Sequence, residues 1–542
     1  MKKYILTVVS AFALLTSCQD AYEIDQPGLI TEESMVFNDA KSVERGVLAI
    51  YNRLVPENDV KFQTVFTDEV GLGHQNGGSG INDGSFNFVM DATNNYAESF
   101  WYNDYGTVFR INKILTVIDG LIANSGSDLV QLNSLKKSKA ELLGLRAYSH
   151  LKLFSYFTPD YTNPQGVSVI KLDFVPKDDF TTMMPRASVA EIEAFIAKDI
   201  QDAMDVYFGS QSYSVLGNEY LTKGALDAML VKLYSMTENY DKVIEIGTRF
   251  VGSAHGFDAP AEYKTMFGNN DTALKKEVIF RLLRDQSQSF SVADVWFTNR
   301  IGRTGTILMD IGRSLYNDLD RLDPSKTNQP VYVKETNPYG VQEEVLVDRA
   351  DLRFTVNVHK ESDAIANYSA LSYDQYITRD RLYVGKYVER SIQRMQNDMI
   401  VFRFSDIALS LAEARAAKNQ LTGNNVIGDY TNVQSIIYNL RMARINPSVS
   451  ATAPATMPTI TSAQSAWKAI LDERRIEFAF EGYRYLDVKR LGVKANEGFE
   501  RDSQDCARNQ ACQLSADDHR LTMPIPRTEK NSNPNMVQNP GY

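Results

Sequence analysis

Cysteine, tryptophan and histidine are scarce in this 542-residue chain, at three, three and five residues. Three cysteines cannot staple a small disulfide scaffold, and a chain of this length buries a sizeable core without one. Cations are outnumbered, 57 Lys and Arg against 68 Asp and Glu, for a net charge of −11. That balance repels phosphate backbones and argues against nucleic acid as a partner. No HExxH, GxSxG or GxxxxGKS/T sequence occurs, so zinc-protease, serine-hydrolase and P-loop chemistry have no foothold. No apolar run reaches the ~20 residues that span a bilayer.

The apolar run that does exist is short and N-terminal. Lys2 and Lys3 precede Tyr4 to Leu15, a signal-peptide core in length and flanks. It closes in Leu15-Thr16-Ser17-Cys18, which resembles a bacterial lipobox with Cys18 as the residue that is lipidated. Residues 1–17 then read as a lipoprotein signal peptide and 18–30 as a lipidated tether carrying Asp20, Glu23 and Asp25. Residues 31–542 form a single domain anchored to the membrane by acyl chains alone. Beyond the leader only Cys506 and Cys512 remain. In an oxidising compartment a local disulfide suits them, and two thiols near only His519 are too few for a metal.

Periodicity predicts a mostly α fold. Val43, Val47, Ile50 and Leu54 repeat at helical steps, as do Trp101, Tyr105, Val108, Asn112 and Leu115. Helices are predicted over 128–157 and 188–206, the latter opening on Ser188 and Glu191 as a capping box. Two helical runs over 221–251 break at Glu238-Asn239, with Gly224, Ala225 and Ala228 on one face. Paired helices of this kind resemble tetratricopeptide units, without a strict 34-residue repeat. The domain divides into a helical part over 31–260, a loop-rich insertion over 261–400 with strand-like VIFRLL and PVYVKE, and a C-terminal part over 401–542 where helices return.

Three C-terminal stretches carry a resemblance: FRFSDIALSLAEARA at 402–416, ERRIEFAFEGYRYLDVKRLG at 473–492 and the terminal MPIPRTEKNSNPNMVQNPGY. With GLRAYSHLKLFSYF upstream and the lipobox, the chain resembles the SusD/RagB family over nearly all of its mature length. His150, Lys152 and Tyr485 depart from residues common in relatives. The resemblance implies an outer-membrane lipoprotein with a tetratricopeptide-like helical scaffold, irregular insertions and a few short strands. It further implies a non-catalytic lid that captures oligosaccharide, or peptide in the RagB branch, and delivers it to a SusC-like TonB-dependent transporter. No cofactor is expected. A structural Ca2+ at Asn82-Asp83 or Asn269-Asn270-Asp271 is the one ion the oxygen-rich stretches allow.

Glu473, Glu477 and Glu481 fall on one helical face near Arg474, Arg475 and Arg484. A glycosidase needs two carboxyl groups across a sugar-sized cleft, which spacing along one helix does not supply. They read as a structural charge network together with Arg441, Arg444, Asp406 and Glu413. The binding candidates lie in loops. LGHQNGGSGINDGSFN offers His74, Gln75, Asn76 and Asn82, with Asp68 just upstream. It reads either as a carbohydrate-binding loop or as a plain surface connection. Sugars stack on exposed rings, so Trp296-Phe297, with Asn299 and Arg300, reads either as a binding platform or as core. Tyr102 is the exposed side of a helix whose Trp101 is core, and Trp467 is also core. Tyr368, Tyr373 and Tyr376 make a second aromatic loop that serves the ligand or the transporter.

Overall fold

The computed structural model describes residues 36–176, 183–267, 275–284, 292–296, 307–327, 329, 332–336, 340, 342–387, 397–449 and 457–542. The leader, Cys18, Phe297, Asn299, Arg300 and Asn269-Asn270-Asp271 lie outside these residues. The fold is helical with a few short strands, as the periodicity predicts. Its first part comprises α1 (Ala40–Tyr51), α2 (Glu57–Phe66), β1 (Val70–Leu72), α3 (Asn95–Asn124), α4 (Leu129–Phe157), α5 (Val189–Ala203), α6 (Lys223–Met236) and α7 (Tyr240–Gly247). The middle holds α8 (Pro260–Thr265), β2 (Val278–Leu282), β3 (Met309–Ile311), α9 (Arg313–Asp320), β4 (Tyr332–Thr336), β5 (Gln342–Leu346), α10 (Leu352–Asn357) and α11 (Tyr373–Arg379). The last part runs β6 (Met399–Arg403), α12 (Phe404–Ala417), α13 (Val433–Ala443), α14 (Ala463–Glu477), α15 (Arg484–Ala495), β7 (Phe499–Glu500), β8 (Gln513–Leu514) and α16 (Arg527–Ser532).

The helix starts are chemically marked. The Asn94 side chain accepts from the N–H groups of Tyr96 and Ala97 ahead of α3, and Asp128 does the same for α4. The Ser188–Glu191 capping box opens α5, satisfying donors that the first turn leaves unpaired. Packing of α3 on α4, α4 on α5 and α6 on α7 gives the tetratricopeptide-like pairs, and α7 continues the stack onto α12. Gly144 permits the contact of α4 with the start of α6: a Cβ there would stand 2.6 Å from Leu221 Cδ1 and 2.8 Å from Leu226 Cδ2. One apolar core runs through residues from Val43 to Met536, and the short elements between 275 and 387 join it.

Among the described residues the strands form four antiparallel pairs, β1 with β3, β2 with β6, β4 with β5 and β7 with β8. The predicted VIFRLL and PVYVKE pieces are β2 and β4. Their partners differ in character: β5 follows β4 locally, whereas β6 reaches β2 from more than a hundred residues away.

The second half has a charged centre. Arg403 donates to Glu277 at 2.7 Å, Glu477 at 2.6 Å and Glu481 at 2.8 Å, and Arg444 to Glu277 at 2.6 Å and Glu477 at 2.7 Å. Arg353 and Arg441 share the two oxygens of Glu473, each at 2.6 Å. Arg474 binds Asp406 and Asp487, while Arg490 binds Glu413. Burial would raise the Glu477 carboxyl, but Arg444 and Arg403 outweigh it and hold the group well below the usual carboxylate range. The network is structural, as its helical spacing indicates.

Candidate functional site

The Gly- and Asn-rich loop after β1 is built by its backbone. Strand β1 pairs with β3, Val70 opposite Ile311 and Leu72 opposite Met309. Pairing continues past the strand, with Gly73 N–H donating to Leu308 O and Gln75 N–H to Ile307 O. Gly73 has no room for a side chain, since a Cβ would lie 2.6 Å from Ile307 O. Gly78 and Gly80 take φ of 91° and 71°, where a Cβ would be strained. Asn82 and Phe86 close the turn by donating to Gly78 O and Gly80 O. The result is a turn-rich platform from which the side chains of His74, Gln75 and Asn82 project into solvent. Asn76 is spent internally, donating to Leu308 O and accepting from Gly78 N–H.

The tyrosine loop faces the same structural joint. Ser372 and Gln375 form the capping box that starts α11. Tyr376 is buried and donates to Asp505 Oδ1 at 2.6 Å, and Tyr368 donates to Asp502 Oδ2 at 2.7 Å with the Arg313 guanidinium 3.9 Å above its ring. Tyr373 stays half-buried at the surface, close enough to Arg508 to feel its charge. Both loops therefore meet on residues 501–512, the turn between β7 and β8. This turn is closed by the disulfide Cys506–Cys512, which the structure contains as the two-thiol argument predicts.

Arg501 is the centre of this joint. Its guanidinium is buried between the rings of Phe86 and Phe88, 4.0 and 4.1 Å from their centroids. It donates to the carbonyls of Thr67, Val65 and Phe66 at the end of α2, to Phe86 in the Gly-rich loop and to Ala511 in the turn. With no carboxylate in salt-bridge contact, burial lowers this guanidinium to about 9. Asp505 is the second joint: it takes the Arg313 N–H and the Tyr376 hydroxyl, and burial pushes it up to about 6. Neither residue belongs to a recognisable motif, and both act on partners more than a hundred positions away.

Beside the tyrosine loop opens a cleft of about 960 Å³, bounded by α9, α14 and the β7–β8 turn. Asn317 and Asp502 line it, and both bond the Tyr368 hydroxyl, so this ring stands between the cleft and the loop face. Its charges are largely paired, Arg475 with Asp318 at 2.9 Å and Lys468 with Asp472 and Glu497. Among the described residues its one aromatic lining residue, Phe499, is buried.

Several predicted site residues are placed elsewhere. Trp296 is fully buried, edge-on to Phe480 with centroids 5.9 Å apart, and its carbonyl accepts from Leu308 N–H. It packs behind the Gly-rich loop and has no face for a sugar. Asp68 is buried at 1% exposure, held by Arg484 in two bonds of 2.9 Å. Burial raises its carboxyl, but Arg475 and Arg484 more than reverse this and hold it far below the ordinary range. Asp68 is thus an ion-pair anchor under the cleft. Tyr102 is 43% exposed, but its hydroxyl is bonded to Thr528 on α16, next to the Trp101–Glu529 bond. Trp467 and Trp101 are core residues. Asp83 accepts from Ser85 N–H, and among the described residues no three His, Cys, Asp or Glu side chains group as metal ligands.

Residues 285–542 match the model of the SusD family. Over its whole length the chain is 23% identical to the whole of SusD-like protein P2 of Formosa agariphila. A SusD superfamily protein of Bacteroides thetaiotaomicron shares the fold at a TM-score of 0.66 and 19% identity, covering 93% of this chain and all of that one. A laminarin-binding SusD-like protein superposes at 0.61 and 18% identity, covering 93% and 99%. No helix among the described residues is long and apolar enough to cross a membrane.

Proposed function

We propose that this chain, whose residues 285–542 match the SusD family model, is a surface lipoprotein that captures oligosaccharide and hands it on without transforming it. Lipidation at Cys18 would hold it on the outer face of the outer membrane, and a SusC-like TonB-dependent transporter would be its partner. One observation carries the ligand reading. Two loops anchored on the same 501–512 turn expose groups of complementary kind: His74, Gln75 and Asn82, which both donate and accept hydrogen bonds, on one, and a half-exposed Tyr373 ring on the other. Amide groups match sugar hydroxyls and a ring matches the apolar face of a pyranose. The relative that binds laminarin supports the same class.

A non-catalytic role fits the carboxylates, since Glu473, Glu477 and Glu481 are consumed by buried guanidinium and ammonium groups. Peptide is the second reading, favoured by the neighbouring cleft, whose described lining of paired charges, with Phe499 buried, suits main-chain and terminal groups better than sugar faces. Calorimetric titration of the protein without residues 1–18, against laminarin, other glucans, fructans, host-type glycans and mixed oligopeptides, tests both. Saturable binding to a glycan whose chain length is unchanged after long incubation is the expected result. Binding to peptides alone overturns the glycan reading, and release of reducing ends overturns the non-catalytic one.

A further inference from the structure

The described loops of the proposed ligand face hydrogen-bond to one short turn. Residues 73–87 reach it through Arg501 to Phe86 O and Asn509 to Asn87, the latter at 2.8 Å. The start of α9 reaches it through Arg313 N–H to Asp505 at 2.7 Å. The tyrosine loop reaches it four times, by Tyr368 to Asp502, Tyr376 to Asp505, and Gln504 to the carbonyls of Ser369 and Leu371. Within the turn the hydrogen bonds are short-range, such as Cys506 N–H to Asp502 O and Gln510 N–H to Cys506 O, and its two ends are joined by the Arg501 guanidinium to Ala511 O and by the strands. The ladder beneath it is two residue pairs, Phe499 with Leu514 and Glu500 with Gln513, extended by Arg501 N–H to Cys512 O. A two-pair ladder is marginal by itself, and a covalent bridge restricts the open conformations that would compete with the closed one.

We propose that the disulfide-closed turn 501–512 is the positioning element of the ligand face, so that the thiol–disulfide state of Cys506 and Cys512 sets ligand affinity while the helical scaffold stays folded. This rests on the ligand reading above. The scaffold is independent of the bridge because α3 to α7 are held by apolar packing in which neither cysteine takes part. Access exists from one side, as Cys506 is fully buried but Cys512 is half-buried. An external dithiol would attack through its thiolate at the Cys512 sulfur. The S–S bond breaks, a mixed disulfide forms, and its second thiol closes the reagent's own disulfide, leaving two protein thiols and an oxidised reagent.

Hydrogen exchange with a ligand-free readout separates this from the ligand reading. The protein is compared oxidised, reduced with dithiothreitol and verified to carry two free thiols, and as C506S/C512S and Asp505→Asn. Reduction and the double variant are expected to speed exchange of amides in 73–87 and 368–379 at least tenfold and leave α4 unchanged. Asp505→Asn should speed exchange in 368–379 with the bridge intact. Unchanged exchange in both loops after verified reduction overturns the proposal, and so does a uniform loosening that includes α4, which would make the bridge a staple of the whole fold. In parallel, affinity for laminarin is expected to fall at least tenfold on reduction. If the oxidised protein ignores laminarin, that glycan is not its ligand, and the exchange data still decide the role of the turn.

Discussion

The two halves of the molecule are held together by different physics. From α1 to α7 the core is mainly aliphatic and aromatic, with Phe62 edge to face on Phe100 and Phe100 tilted on Tyr156, and its buried ion pairs, such as Arg146 with Asp199, stand singly. From β2 onward, beside its own apolar residues, the centre contains fully buried arginines and glutamates, Arg353, Arg403 and Arg444 among Glu277, Glu473 and Glu477. Apolar packing is forgiving of shape, whereas buried ion pairs are worth little until one partner is missing. The helical pairs therefore tolerate change gradually, and the second half, which carries most of the loops of the ligand face, should fail abruptly at a few positions.

The sharpest way to break that contrast is Glu477→Ala. It removes one of the two carboxylates that Arg403 and Arg444 share and leaves Glu277 alone between the two buried guanidiniums, and the expected loss is about 3–5 kcal/mol in chemical denaturation. A loss under about 1 kcal/mol would mean the network is incidental. Trp296→Ala comes next, at about 3–5 kcal/mol for a large buried aromatic. Its effect belongs to stability: variant protein that is still folded should bind glycan as wild type does, the reverse of what a platform ring would give. Tyr373→Ala should behave oppositely, weakening glycan binding by ~1–3 kcal/mol with an unchanged denaturation midpoint. Equal affinity for the variant would remove Tyr373 from the site.

These cases also show what a sequence can disclose. The helices, the Ser188–Glu191 cap and the ion-paired role of Glu473, Glu477 and Glu481 were legible because each is written in local spacing, i to i+3 or i+4. The solvent-facing His74, Gln75 and Asn82 were legible from glycine content. Trp296 was ambiguous because its neighbourhood lacks periodicity, and burial there comes from packing against Phe480, nearly two hundred positions later. Strands of three residues such as β1 and β3 are too short for an alternation to register. Arg501 and Asp505 were invisible for the same reason at longer range: nothing near them in the chain marks a guanidinium that serves carbonyls more than four hundred residues earlier.

The subtlest test contrasts two neighbouring carboxylates, Asp68 and Glu69, which the fold drives apart. Asp68 is held ionised by its guanidinium partners, whereas burial pushes Glu69 up to about 7, with only the Phe480 N–H on one oxygen and no partner for the other. Between its unfolded value of 4.5 and about 7 the folded protein binds more protons than the unfolded chain at Glu69, so this residue makes stability fall as pH rises through that window. Glu141, also near 7, acts in the same sense. Buried His150, lowered to about 4 from 6.5, acts in the opposite sense, because the unfolded chain binds the proton first. The wild-type curve alone therefore mixes the two. The difference between wild type and Glu69→Gln isolates one group: the variant should gain on wild type as pH rises from 4.5 to 8, with a slope of at most about 1.4 kcal/mol per pH unit. Parallel curves would mean that Glu69 titrates alike in the folded and unfolded chain, with burial offset by the Phe480 N–H and by the charges of Arg484 and Lys386.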